Sequence, residues 1–246
     1  MSRRGRWIPD QHGAWAMLVV PFAAGTFLGD PSWLHLPLFV CWLLAYVTAF
    51  HLQQYVRLRR LSRNPRAAGR HVRPLITFGA VLAVVGVPLL VLRPWLLVAV
   101  AAALPFCAVN TLYALRNRER ALVNGLVAVV PACGALLMAL RLGGGSLGDG
   151  ATACAACLLY FAGTVLHVKA MIRERRNPRY LYGSVAYHAV ALVCVLLMNP
   201  LWAVLFAFCL LRAAFLPGRG LRVKAVGLIE LGCSAVLLAL LLGSAG

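Results

Sequence analysis

The sequence predicts an all-α polytopic membrane protein of nine transmembrane helices, with its N-terminus cytoplasmic and its C-terminus outside. Three observations carry this prediction. Hydrophobic residues make up 62% of the 246 and the mean hydropathy is +0.84, while Asp and Glu together number only 6, too few to help clothe a water-soluble surface. Nine apolar runs, bounded by charge or by Pro and Gly, match or approach the about 20 residues that cross a hydrocarbon core. Of the 24 Lys and Arg, all but Arg93 and Arg141 fall in segments that an inward N-terminus assigns to the cytoplasm, the asymmetry that orients membrane proteins.

The first run, Gly13 to Leu28, is short. It follows RRGRWIPDQH, and a basic start before a brief apolar core can mimic a secretory signal. Asp10, Gln11 and His12 interrupt that pattern and no convincing A-x-A cleavage site follows the apolar core, so the run is read as a span. The second, Trp33 to Tyr55, leads into RLRRLSRNPR at 57–66, and Arg93 marks the outer turn between the third (Leu75 to Leu92) and fourth (Trp95 to Leu115). Arg116, Arg118 and Arg120 precede the fifth, Ala121 to Leu140, and Arg141 lies outside. The sixth, Ala151 to Met171, leads into RERRNPR at 173–179. The seventh (Tyr182 to Met198) and eighth (Leu201 to Phe215) are short, and the ninth runs from Lys224 to Leu242. Nothing between the runs is long enough for a separate soluble domain, so residues 1–246 are read as one transmembrane domain.

A formal net charge of +18 raises nucleic acid as a partner, but that reading needs a basic face or tail interleaved with aromatics. Here topology accounts for most of the charge; the partners predicted are membrane lipids and no nucleic acid. Of the 8 cysteines, only Cys154 and Cys157 form a close pair, in ACAACLL. No second ligand pair lies at the outer face with them, so they are read as small residues at helix-packing positions.

Polar side chains within membrane spans are costly, so their depth is informative. His51 precedes Arg57 by six residues, Asn110 precedes Arg116 by six, and His167 precedes Arg173 by six, each about 9 Å at 1.5 Å per helical residue. Glu230 lies six past Lys224, His188 six past Tyr182, and Asn124 four past Arg120. Gln53, Gln54, Tyr113, Lys169 and Tyr187 fill the same zone, and His12 stands at its mouth. A shared depth predicts a polar cavity in the inner half of the bundle. The alternative is that each group hydrogen-bonds a neighbouring helix and fixes packing.

The second and sixth spans repeat a phrase. His51 is followed by four residues, an apolar Val56 and Arg57-Leu58-Arg59-Arg60; His167 by four, Ile172 and Arg173-Glu174-Arg175-Arg176. Asn-Pro-Arg then follows in both copies. The repetition predicts an internal duplication, with halves of approximately 13–115 and 121–215 plus a final helix at 224–242, and equivalent helices facing each other across the cavity.

PDQHGAWAML at 9–18, RNRERALVN at 116–124 and VKAMIRERRNPRYLYGSVAYH at 168–188 resemble the YwiC-like family of bacterial membrane proteins over nearly the whole chain. That resemblance implies a multi-pass protein of the bacterial cytoplasmic membrane. A more distant likeness is to the UbiA superfamily of intramembrane prenyltransferases. It rests on NPRAAGRHVRPLITFGAVLAV after the second span, YALRNRER after the fourth, and LHVKAMIRERRNPR on the sixth. The likeness implies a nine-helix, internally duplicated bundle. In that superfamily aspartate-rich motifs on the second and sixth helices hold magnesium against a prenyl diphosphate. At the matching positions this chain has His51, Gln54, Ala170 and Arg173, with Glu174 the one acid, so an ordinary aspartate- and magnesium-dependent prenyltransferase is not the expectation.

The residues therefore predict a cavity that binds an anionic or phosphorylated group without magnesium, and the likeness implies that its carrier is an isoprenoid-type lipid. Arg57, Arg73, Arg173 and Lys169 supply charge-assisted hydrogen bonds, and His51 and His167 are candidate proton carriers. If the chain is an enzyme, it is a divergent transferase without the metal-binding aspartates. No cofactor is predicted; the alternative is a metal or haem held by His51, His167 and His188, with His12 at the mouth. A small-solute transporter using Glu230 as proton carrier, or as the partner of an inner-face arginine, is a third reading, and a non-catalytic scaffold a fourth.

Overall fold

A computed structural model describes residues 7–9 and 12–244, with the backbone alone for His12 and Pro65. Among the described residues it contains ten helices and no strand. They are α1 (His12–Leu28), α2 (His35–Leu61), α3 (Pro65–Gly69), α4 (Val72–Leu92), α5 (Leu96–Leu115), α6 (Leu122–Leu142), α7 (Leu147–Ile172), α8 (Pro178–Met198), α9 (Pro200–Phe215) and α10 (Val223–Gly243). Each of the nine apolar runs coincides with a helix, and 7 of these are long and apolar enough to cross a membrane. The exceptions are α1 and α9, with 17 and 16 residues. At 1.5 Å per residue they span about 25 Å, short of a core about 30 Å thick.

The helices overrun the apolar runs where the sequence supplies other reasons to stay helical. α2 continues through Arg57 to Leu61 because Gln, Leu and Arg are good helix formers and its backbone bonds are internal. α7 starts at Leu147 because Ser146 and Asp149 form a capping box: the Ser146 hydroxyl accepts from Asp149 N–H and the Asp149 carboxylate from Ser146 N–H, each at 3.2 Å. α3 lies inside the basic loop after the second span, where the hydropathy pattern showed no element. It is set by the Asn-Pro-Arg of the doubled phrase.

That tripeptide has a local structural role. Asn64 Oδ1 accepts from Arg66 N–H at 3.0 Å, and Pro65 occupies the first helical turn of α3. In the second copy Asn177 accepts from Arg179 N–H at 3.2 Å and Pro178 opens α8. Asn199-Pro200 starts α9 in the same way, with Leu201 N–H donating to Asn199 at 2.9 Å. Asn satisfies an orphan helix N–H, and Pro has no N–H to satisfy. Part of the repetition is thus a repeated helix-start signal.

Packing separates two compact units, divided within α6 at Pro131: residues 32–131 with 7–9, and residues 12–31 with 132–244. In the first, α2 is central, with α3, α4 and α5 against it. The outward faces of α4 and α5 are apolar, Val84 being 74% and Val98 72% exposed, surfaces suited to lipid rather than water.

In the second unit α8 packs against α7 and α9, and α1 lies against α10 and α7. Small residues let backbones approach. Gly25 of α1 sits so close to the Leu136 carbonyl of α6 that a Cβ would collide with it. At the end of the same contact Asp30 N–H donates to Gly143 O at 3.2 Å. Cys133, Cys154 and Cys157 are buried on α6 and α7, and the Cys154 thiol lies 3.5 Å from Cys133 O, so the C-x-x-C pair packs helices as the sequence predicts.

Candidate functional site

The first unit carries an open polar concavity. Pro65 and Asn64 start α3 directly after the end of α2, and α3 turns into α4 within two residues, so three arginines spaced along 66–73 are brought round one opening. An open cavity of about 460 Å³ is lined by Trp7, Arg66, Gly69, Arg70, Arg73 and Pro74. That lies within the about 300–1,000 Å³ of small-ligand pockets. All three arginines are exposed, and no carboxylate is among the lining residues. Three guanidinium groups round one opening suit an oxyanion, which Arg can grip through two parallel N–H bonds.

Behind this pocket His51, 1% exposed on α2, fixes Trp7. Its Nε2 lies 2.8 Å from Trp7 O and its Nδ1 lies 2.9 Å from His71 Nδ1. A carbonyl only accepts, so His51 Nε2 carries the proton. With His51 neutral, its Nδ1 accepts and His71 Nδ1 donates. The His51 ring stacks on Phe78 at 6.0 Å. His51 is therefore a buried positioning group beneath the pocket, anchoring one of its walls.

Gln54 and Arg57 belong to a second cluster in this unit. Arg57 Nη1 lies 3.2 Å from Glu119 and 3.2 Å from Gln54 Oε1, while its Nε and Nη2 donate to Asn117 Oδ1 at 3.1 and 2.9 Å. Gln54 Nε2 donates to Glu119 at 2.9 Å, and Asn124 Nδ2 donates to Glu119 O at 2.8 Å. Asn117 takes this position because it ends α5 at φ 55°, a left-handed conformation Asn tolerates. Its N–H donates to Ala114 O at 3.0 Å, and Arg118 N–H donates to Tyr113 O at 2.8 Å, the two bonds of a Schellman cap. Asn117 and Glu119 were not among the predicted site residues. Their signal was the polar loop RNRER opposite the end of the second span.

In the second unit, α7 to α10 bring a buried polar group together. Arg212 (2% exposed) on α9 pairs with Glu230 (5% exposed) on α10, whose Oε2 accepts from Thr164 at 3.0 Å. His167 on α7 lies 4.0 Å from Glu230 Oε1. His188 Nδ1 donates to Ser184 O at 2.7 Å, and the His167 and His188 rings stand 6.3 Å apart. Tyr187 donates to Leu159 O at 3.1 Å. Arg212, the partner that Glu230 requires, was read from sequence only as a topological charge, since it stands in the last turn of a short span.

The other predicted residues serve several local roles. Arg173 ends α7, with its N–H on Lys169 O at 3.0 Å. The Lys169 ammonium lies 5.5 Å from the Tyr180 ring centroid. Glu174 accepts from Asn177 at 3.3 Å. Asn110 and Tyr113 lie on α5, the former with a buried Oδ1 that has no hydrogen-bond partner among the described residues. The His12 side chain lies outside the described residues. Arg57, Arg73 and His51 belong to one unit, and His167, His188, Lys169, Arg173 and Glu230 to the other. Among the described residues, no three His, Cys, Asp or Glu side chains are grouped as metal ligands.

These residues do not fit a magnesium bridge. The carboxylate against the C-terminal part of α2 is Glu119, already bonded to Gln54 and paired with Arg57, and the arginine-lined pocket offers no oxygen ligands of the kind magnesium needs.

Comparison with known proteins places this geometry in context. A family model described as YwiC-like protein matches residues 8–140. An uncharacterized protein of Haemophilus influenzae is 33% identical over 243 residues, covering 96% of this chain and 97% of that one. The uncharacterized protein YwiC of Bacillus subtilis is 33% identical over 226 residues, covering 91% of this chain and 92% of its own. No solved structure matches the chain significantly.

Proposed function

The chain belongs to the YwiC-like family, a premise from which we propose that this helical membrane protein binds the phosphorylated headgroup of an anionic, isoprenoid-type lipid without magnesium. The observation that carries the reading is the opening lined by Arg66, Arg70 and Arg73, with Trp7 at its edge and no acid in its lining. Arginine satisfies phosphate oxygens directly, so the metal that carboxylates would recruit is not required. Tryptophan favours the membrane interface, where a headgroup lies.

In this reading the basic loops face the cytoplasm, the N-terminus is inside, and the pocket opens on the inner leaflet of a bacterial cytoplasmic membrane. The two copies of the basic phrase mark equivalent helices of a duplicated, UbiA-like bundle. The phosphate-binding work falls to the first copy's loop rather than to Arg57, whose guanidinium is already engaged by Glu119 and Asn117.

The test is binding of farnesyl phosphate to the full chain in lipid nanodiscs, with and without a magnesium chelator. Equal, saturable affinity in both conditions is the expected result. Strict dependence on magnesium would reject the arginine cradle.

A further inference from the structure

We propose that the polar cluster buried among α7–α10 is a second binding site, one that takes up a small carboxylate together with one proton. It is independent of the basic pocket, which belongs to the other unit. Among the described residues Arg212 uses only Nη1, on Glu230 and, at 3.9 Å, on Cys233 Sγ. Its Nε and Nη2 are buried with no hydrogen-bond partner among the described residues, as are both ring nitrogens of His167. Leaving so many donors unmade is costly, so the cluster is built to receive something. Glu230 does not reach these donors: its Oε1 takes Arg212 Nη1 and its Oε2 takes Thr164.

The unused edge of Arg212 identifies the ligand class. The Nε and Nη2 edge of a guanidinium is the fork that binds a carboxylate through two parallel hydrogen bonds. Charge then fixes the proton. Arg212 and Glu230 cancel, so a carboxylate entering alone would leave an uncompensated negative charge in a low-dielectric interior. One proton on His167 restores neutrality, and its Nε2 already lies 4.0 Å from Glu230 Oε1.

The other titratable groups facing the cluster are worse proton acceptors. His188 commits Nδ1–H to Ser184 O, and its Nε2 faces the α7 backbone so closely that a Cβ on Gly163 would stand 3.0 Å away. On α7, Tyr160 OH lies 3.2 Å from Glu230 O and 3.1 Å from Ser234 Oγ. Tyr187 on α8 donates to Leu159 O. Cys209 on α9 and Cys233 on α10 are buried thiols and complete the surroundings.

The experiment is calorimetric titration of acetate, and of benzoate as a bulkier probe, into the full chain in nanodiscs, in two buffers of different ionisation enthalpy. Saturable binding with about one proton taken up per anion is expected, with affinity falling about tenfold per pH unit wherever that proton is taken up. Arg212→Lys keeps a cation for Glu230 but loses the fork, and should weaken binding at least about tenfold. His167→Gln should abolish the proton uptake. The proposal is overturned if neither anion binds saturably, if binding takes up no proton, or if Arg212→Lys binds as the unmodified chain does. Should both variants fail to fold, the proton count on the unmodified chain alone decides.

Discussion

Replacing Glu230 by Gln keeps the shape of the α10 side chain and removes its charge. Arg212, 2% exposed, then stands in the interior without an anion. Removing one member of a buried pair costs about 3–5 kcal/mol, because the survivor is left uncompensated. Gln can still accept from Thr164 and Arg212, which places the loss toward the lower end, about 3 kcal/mol. Arg212→Met, which keeps the aliphatic stem, should cost a similar amount by stranding Glu230. The double variant removes both charges and should lie within about 1 kcal/mol of the unmodified chain, since apolar replacement of a whole buried pair is often neutral. Equilibrium unfolding in mixed detergent micelles, followed by far-ultraviolet circular dichroism, measures all four proteins. If Glu230→Gln costs less than about 1 kcal/mol, or the double variant loses the sum of the two singles, the pair does not hold α9 to α10 as argued.

Three further outcomes follow from the geometry. Gly25→Ala drives a methyl into the Leu136 carbonyl and should cost about 1–3 kcal/mol in the same unfolding measurement, whereas Gly13→Ala, with open space around its Cα, should be nearly silent. Asn117→Gly should keep the α5 cap but release Arg57, while Asn117→Ala should lose both and be about 1–2 kcal/mol less stable than the Gly variant because of its positive φ. With the inward N-terminus, single cysteines placed at Ser62 and at Gly144 should react with an impermeant maleimide from opposite sides of sealed vesicles, Gly144 from the outside; labelling from one side would reverse or break the topology.

The helices were legible because each apolar run leaves the backbone no partner but itself, and every run became a helix within a few residues of its limits. Two features were less legible. α3 hides in a basic loop whose hydropathy carries no signal, although Asn64-Pro65 marks its start by the same chemistry as Asn177-Pro178. Arg212 looked like one more inward charge, because its burial depends on the ends of α7 and α10 meeting α9, which no local pattern encodes. The depth argument did select Glu230, His167 and His188, which share one buried cluster. It also selected His51, which instead braces Trp7 beside the basic pocket. Depth along a span is written in the sequence; the direction a side chain takes around the helix depends on its neighbours.

The central claim is that three arginines on the turn from α3 to α4 hold a lipid phosphate. The direct measurement is the affinity of farnesyl phosphate for the chain and for the Arg66→Gln, Arg70→Gln, Arg73→Gln triple variant, both in nanodiscs with chelator present. All three side chains are exposed, so the variant should fold unchanged. A hydrogen bond to a charged group is worth about 1.5–3 kcal/mol, so losing three should weaken binding at least about 100-fold. Equal affinity for the two proteins, with folding intact, would contradict the account and return the basic loop to a purely topological role.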